Sequence, residues 1–220
     1  MTAHWIIGSA AVWILWASAA FAQATITTGP AVAAAAVAAP PQARVETSLG
    51  IFTITLDRTN APKSVANFIA YAKEGHFDGT TIYRIAPGFV IQMGSIEVSG
   101  TSRPTHPPIP LESSNGLKNV RGSVSMARQG DPQSATAEFF VNLADNPDLD
   151  AKPGAAPNTT GYAVFGRIRD GMDVVDRIAA VPLGGTQGPF PPGATPMSPV
   201  LIKKVMVIES PAPNPPPFAK

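Results

Sequence analysis

"TIYRIAPGFVIQMG", residues 81–94, is an apolar run interrupted by Pro87-Gly88, with one arginine and one glutamine set into it. Each half is short and apolar enough to be a strand, and Pro-Gly marks a turn between them. On a regular strand Val90 and Gln92 share a face. The question is why strands this apolar carry Arg84 and Gln92.

Similar segments lie on both sides. "RVETSLGIFTITLD" (44–57) alternates and turns at Ser48-Leu49-Gly50, which predicts a hairpin. "NAPKSVANFIAYAKEGHF" (60–77) predicts a helix capped by Asn60, with Pro62 in its first turn. Its apolar stripe is Val65, Phe68, Ile69 and Ala72, and Gly75 ends it. Short strands are predicted at 81–86, 89–93, 123–128, 138–142 and 163–168, a second helix at 171–181 and a closing strand at 199–209. Many short strands with two helices predict a mainly β domain, most economically a closed barrel without bare edges.

The chain has 220 residues, enough for one medium domain with a substantial core. With 16 Lys+Arg against 15 Asp+Glu, nothing draws it broadly toward nucleic acid. No Cys is present, which excludes disulfides, thiolate chemistry and a lipid-modified cysteine anchor. No Asp, Glu, Lys or Arg precedes Arg44. Within that stretch "WIIGSAAVWILWASAAFA" (5–22) ends in Ala20-Phe21-Ala22, the small-x-small pattern of a cleaved signal peptide. The segment before it has no Lys or Arg, so an uncleaved membrane anchor is the alternative. All three tryptophans, Trp5, Trp13 and Trp16, lie here.

The expected organisation is a signal peptide at 1–22, an Ala/Pro-rich linker at 23–43, one domain at 44–210 and a Pro-rich tail at 211–220. A periplasmic or secreted location follows from the cleaved-signal reading.

The common chemistries find little support. Beyond residue 22 there are two histidines, His76 and His106, and neither has a plausible nucleophilic serine near it in sequence. "HFDG" (76–79) offers one His and one Asp, too few to hold a metal. Gly184-Gly185 does not open a helix after a strand, which argues against a phosphate-binding loop. "NTT" (158–160) fits a glycosylation sequon on a single tripeptide.

Four apolar segments with polar exceptions remain: "DGTTIYRIAPGFVIQMG" (78–94), "NGLKNVRGSVSMAR" (115–128), "EFFVNLADN" (138–146) and "GYAVFGRIRDGMDVVDRI" (161–178). In this order they resemble the cyclophilins, the cyclosporin-type peptidyl-prolyl cis-trans isomerases, over about 45–209 and most closely in their secreted bacterial branch. The resemblance implies an eight-stranded antiparallel barrel with a helix over each end, and an outer groove that takes X-Pro peptides of exported or unfolded chains. It implies no cofactor, a monomer, and no membrane or nucleic-acid partner for the mature domain.

By the same resemblance Arg84 matches the catalytic arginine and Gln92 the glutamine that contacts the substrate backbone. Phe140, with Phe89, Val90 and Leu149, matches the proline pocket, and Ala127 a small residue of the groove. Tyr162 replaces a histidine of eukaryotic members. Two positions depart from the pattern. Glu138 stands where Gln is usual and puts a carboxylate beside the substrate path, unless it is paired with Arg128. Asp148 stands where Trp or Phe is common, which implies weak cyclosporin binding. These acidic departures also raise an alternative: a peptide-binding module or chaperone of the same fold with little catalysis. On the enzyme reading, Arg84 and Gln92 face a groove and not the interior.

Overall fold

The computed structural model describes residues 39–186 and 190–209. The segment read as a signal peptide, most of the linker and the Pro-rich tail lie outside the described residues. Among the described residues there are eight strands and two α-helices: β1 (Gln42–Thr47), β2 (Gly50–Leu56), α1 (Pro62–Lys73), β3 (Arg84–Ala86), β4 (Val90–Met93), β5 (Ser123–Met126), β6 (Phe139–Asn142), β7 (Val164–Asp170), α2 (Met172–Ala179) and β8 (Ile202–Ile208). They form one sheet in the order β3-β4-β6-β5-β7-β2-β1-β8. Every ladder is antiparallel. The sheet curls into a half-barrel whose ladders end at β3 and β8.

Alternation sorts the side chains. Along β4 and β6, Ile91, Met93, Phe139 and Val141 are fully buried in the main core with Phe52, Ile54, Leu56, Val124 and Phe165. Their neighbours Val90 and Phe140 belong to a second, smaller apolar cluster. Strand residues two apart share a face, so the sheet has an interior and a partly covered exterior.

The hairpin turns at Ser48-Leu49 as expected, pairing Thr47 with Gly50. β1, however, starts at Gln42, inside the segment read as linker. Gln42 pairs with both Thr55 and Ile208, so ladder bonds on two sides carry the strand past the change in composition. The strand expected at 81–86 is shorter, because residues 81–82 change partners. Thr81 N–H donates to Ile96 O at 2.8 Å, and Ile82 N–H to Val200 O at 2.8 Å.

α1 buries Val65, Phe68, Ile69, Tyr71 and Ala72 and packs on β7 and β8. Phe68 anchors it among Phe77, Phe139 and Phe165, with ring centroids 5.3, 5.3 and 5.4 Å away. Asn60 does not cap this helix. Its N–H and side chain donate to Asp57 instead. The orphan N–H groups of Lys63 and Ser64 donate to the Glu112 carboxylate at 3.0 and 2.8 Å, and the Ser64 hydroxyl adds a bond of 2.8 Å. A negative charge suits a helix N-terminus, and here it comes from a loop distant in sequence. α2 buries Val174, Val175 and Ile178 and packs against β2. Among the described residues no helix is long and apolar enough to cross a membrane.

Candidate active site

The opening stretch folds as β3, a turn and β4. Phe89 N–H donates to Ala86 O at 2.9 Å, and Gly88 takes φ 71°. That positive φ is what the third position of a type II turn after proline requires. The turn fixes the register Arg84↔Gln92, Ile85↔Ile91 and Ala86↔Val90. In β6 Phe140 pairs with Gln92, and in β5 Ser125 pairs with Phe140. Cross-strand partners share a face, so Arg84, Gln92, Phe140 and Ser125 form a row across four strands, on the side away from the main core.

The second apolar cluster lies beside this row. Val90, Ala127 and Phe140 are its buried members, and Ala86, Phe89, Leu149 and Tyr162 pack against them. Of the expected site residues, the structure thus gathers Phe89, Val90, Ala127, Phe140, Leu149 and Tyr162 into one apolar hollow, with Arg84 and Gln92 along its edge. Tyr162 meets Phe140 edge-on at 5.6 Å. Its outer side is covered by Arg128, whose guanidinium carbon lies 4.8 Å from the ring centroid.

The Glu138 carboxylate is not paired with Arg128. Arg128 donates to the carbonyls of Gly161 and Gln129 instead. The Glu138 carboxylate accepts the Tyr83 hydroxyl at 2.7 Å and Ser95 N–H at 2.7 Å. Asp148 is exposed on a short 3-10 turn, Pro147–Leu149.

Polar order at the row comes from a chain of hydrogen bonds. Arg84 Nη1 donates to Gln92 Oε1 at 2.9 Å, and Gln92 Nε2 donates to the Tyr83 hydroxyl at 2.7 Å. Burial, reinforced by the Glu138 charge, pushes the Tyr83 pKa far above its ordinary value, so the phenol keeps its proton. Phe190 lies over Arg84, with the guanidinium carbon 4.8 Å from its centroid, and stacks with Tyr83 at 5.8 Å.

Behind the hollow stands a buried amide network. Asn142 Nδ2 donates to Ser123 Oγ at 2.9 Å, and its Oδ1 accepts Asn146 Nδ2 at 2.7 Å. Asn146 also holds Phe89 O at 3.0 Å, and Asn119 holds Leu149 O at 3.1 Å. Two walls of the hollow are therefore tied down through their backbones.

Sequence reasoning missed Tyr83, Phe190 and these asparagines as parts of the site. Tyr83 adjoins Arg84 in an apolar run and reads as core, and Phe190 sits in a Gly/Pro loop without periodicity. No group of three or more His, Cys, Asp or Glu that could hold a metal occurs among the described residues. A cleft of about 1140 Å³ between β2, β7 and the 116–120 loop includes none of the row. The site is marked by its chemistry, not by its size.

Residues 42–207 match the family described as "Cyclophilin type peptidyl-prolyl cis-trans isomerase/CLD". The chain is 42% identical over 164 residues to peptidyl-prolyl cis-trans isomerase cyp18 of Streptomyces antibioticus, covering 74% of this chain and 96% of that protein. It is 39% identical over 163 residues to peptidyl-prolyl cis-trans isomerase A of Dickeya dadantii, covering 74% of this chain and 82% of the relative. With peptidyl-prolyl cis-trans isomerase B of Escherichia coli the identity is 43% over 138 residues, covering 63% and 84%. A crystal structure of a cyclophilin type peptidyl-prolyl cis-trans isomerase from Cryptosporidium parvum, in the presence of the dipeptide Ala-Pro, superposes with a TM-score of 0.63. It is 23% identical and covers 77% of this chain and 99% of that one.

Proposed function

The chain belongs to the cyclophilin-type peptidyl-prolyl cis-trans isomerases, and from that premise we propose that the outer-face row is where it rotates X-Pro bonds, with Arg84 as the donor to the prolyl nitrogen. The reaction makes and breaks no covalent bond. Its barrier of about 18–20 kcal/mol is the amide conjugation lost on twisting. A catalyst must bind the twisted amide better than either planar form. As conjugation fails, the prolyl nitrogen gains a lone pair and becomes a better acceptor. A permanently charged donor beside it therefore gains most in the transition state.

A guanidinium has five N–H donors in its plane, so the bond to Gln92 leaves others for substrate. The Phe190 ring lies against the guanidinium, its centroid 4.8 Å from the guanidinium carbon. Phe89, Val90, Phe140 and Leu149 hold the proline ring while the preceding carbonyl turns. Ala127 leaves room for the peptide, Tyr162 walls the hollow, and Gln92 steadies Arg84 and a substrate backbone group. Proline-containing polypeptides are the partners this chemistry selects. No cofactor enters the reaction.

The carrying observation is the register that sets Arg84, Gln92 and Phe140 side by side at the rim of an apolar hollow. The test is X-Pro exchange on a short peptide with the full chain and its Arg84→Ala variant. Loss of one preorganised donor costs about 10²–10³ in rate. A variant as fast as the parent would remove Arg84 from this role. The alternative of a poorly catalytic binding module draws on Glu138 and Asp148, and Asp148 is exposed. Glu138 is engaged by Tyr83 and Ser95, which weakens it.

Three further parts of the proposal rest on other observations. The segment before β3 bonds to the start of β8 and the residues just before it, through Ile82 N–H to Val200 O and Ile202 N–H to Thr80 O, which supports a closed barrel. The apolar segment 5–22 supports export, and with it unfolded or newly exported chains as clients in the periplasm or outside the cell. Asp148 supports weak cyclosporin binding.

A further inference from the structure

We infer that Glu138, acting through Tyr83 and Gln92, sets the direction of the hydrogen-bond chain that orients Arg84, and is thus a positioning residue for the isomerisation. This rests on Arg84 being the donor proposed above.

One end of this hydrogen-bond chain is a backbone group that cannot change its role. Ser95 N–H only donates, and Glu138 Oε1 accepts it at 2.7 Å. Glu138 Oε2 accepts the Tyr83 hydroxyl at 2.7 Å. A phenol has one hydrogen. With that hydrogen committed to the carboxylate, the Tyr83 oxygen is an acceptor toward Gln92, whose Nε2 donates to it at 2.7 Å. That contact fixes which way the Gln92 amide lies. Its Oε1 must face Arg84, and it accepts Nη1 at 2.9 Å. Each bond compels the next, and the starting point is a side chain with two acceptor oxygens and no donor.

A glutamine at 138 would reverse the chain. Its oxygen would be taken by Ser95 N–H, leaving its NH₂ toward Tyr83. Tyr83 would accept from it and turn its own hydrogen toward Gln92. The Gln92 amide would then flip to receive that hydrogen and present its NH₂ to the guanidinium, donor against donor. Glu138 and Tyr83 therefore work as a pair.

The place for this carboxylate is built into β4. A side chain at Gly94 would put its first carbon 2.5 Å from Glu138 Oε2 and 2.6 Å from the carboxyl carbon. The carboxylate lies where residue 94 lacks a side chain, because Met93 pairs with Phe139 and so brings Gly94 opposite Glu138.

The experiment compares X-Pro exchange in the full-length chain with Arg84→Ala, Gln92→Ala, Glu138→Gln, Tyr83→Phe and the double variant Glu138→Gln/Gln92→Ala. Glu138→Gln and Tyr83→Phe are each expected to lower kcat by about 10-fold, one to two hydrogen bonds' worth, with KM changed less than about 2-fold. Because Glu138 acts through Gln92, the double variant should be no slower than Gln92→Ala alone. The side-chain amide resonances of Gln92 and the Nε–H resonance of Arg84 should shift in Glu138→Gln. Parent-like kcat in folded Glu138→Gln and Tyr83→Phe, beside an impaired Arg84→Ala, would overturn the inference. So would a double variant slower than Gln92→Ala by the full Glu138→Gln factor. An unimpaired Arg84→Ala would instead sink the Arg84 reading and the inference with it. If Glu138→Gln does not fold, Tyr83→Phe decides, since it leaves the Glu138–Ser95 bond in place.

Discussion

At the scale of the residue, one arginine on a strand means little until its surroundings are specified. Arg84 is held by two neighbours, by Gln92 through a hydrogen bond at Nη1 and by the Phe190 ring against the guanidinium carbon. Phe190 should therefore matter although it comes from a loop remote in sequence. A cation–π contact that is partly desolvated contributes about 0.5–2 kcal/mol. Phe190→Ala is expected to lower kcat/KM by about 3–10-fold while leaving the thermal midpoint nearly unchanged, because Phe190 is only half-buried. Peptide isomerisation beside a melting curve checks both, and parent-like kcat/KM would show that the ring merely lies there. Strand pattern alone did not distinguish Arg84, Gln92 and Phe140, which the ladders place on one face; they were singled out by the resemblance carried in the order of four motifs. Phe190 was not, since nothing local says which side chain a loop ring will meet. The partner of Glu138 was misread for a related reason. Opposite charge suggested Arg128, whereas the Glu138 carboxylate lies against Gly94, just past the end of the β4–β6 ladder, and Arg128 goes to the Gly161 carbonyl and the Tyr162 ring.

At the scale of the element, helices and hairpins were readable from period and turn chemistry, and their ends were not. α1 begins where Glu112 can reach it, and β1 begins where two neighbours can pair with it. Both boundaries are set by segments far away in the chain. The loop that follows Leu149 shows the same dependence and has a pH signature. Asp150 accepts Asn119 N–H at 2.9 Å and Asn119 Nδ2 at 3.1 Å, with Lys118 3.4 Å from its other oxygen. Burial pushes its pKa up, but the Asn119 donors and the Lys118 charge outweigh this and hold it below the ordinary carboxylate value. The folded chain therefore binds this proton less tightly than the unfolded one. The stabilisation is complete above the unfolded pKa of about 3.9 and is lost as pH falls through that value toward the lower folded one. Urea midpoints of the parent should fall from about pH 5 downward, and Asp150→Asn should flatten that part of the curve. Asp173 and Glu209, also held low by their ion pairs, remain in both proteins and cancel in the comparison. Parallel curves would mean that Asp150 does not tie this loop down.

At the scale of the whole molecule, one sheet carries two apolar clusters on opposite faces, and β6 serves both. Phe139 points into the main core, where Phe68 and Phe165 meet it, and Phe140 points into the hollow. Stability and catalysis should therefore separate along adjacent residues of one strand. Phe68 is 1% exposed and touches three aromatic rings, so Phe68→Ala leaves a cavity that the curled sheet cannot collapse to fill. Its cost is about 3–5 kcal/mol, a large share of the roughly 5–15 kcal/mol that a domain has. Yet the row of Arg84, Gln92 and Phe140 is held in register by β3–β4 and β4–β6 ladder bonds, which the cavity leaves intact. Well below its lowered midpoint, Phe68→Ala should keep kcat/KM within about 2-fold of the parent, since surface and core sites without shared partners act additively. Phe140→Ala should do the reverse, losing most of the activity at a smaller stability cost, because among the described residues its cluster has Val90 and Ala127 as its other buried members. Denaturant unfolding and peptide exchange on the two variants decide the matter. If Phe68→Ala were folded but inactive, the interior would be setting the geometry of the row. The outer site would then be a dependent of the core, not a separate layer of the same sheet.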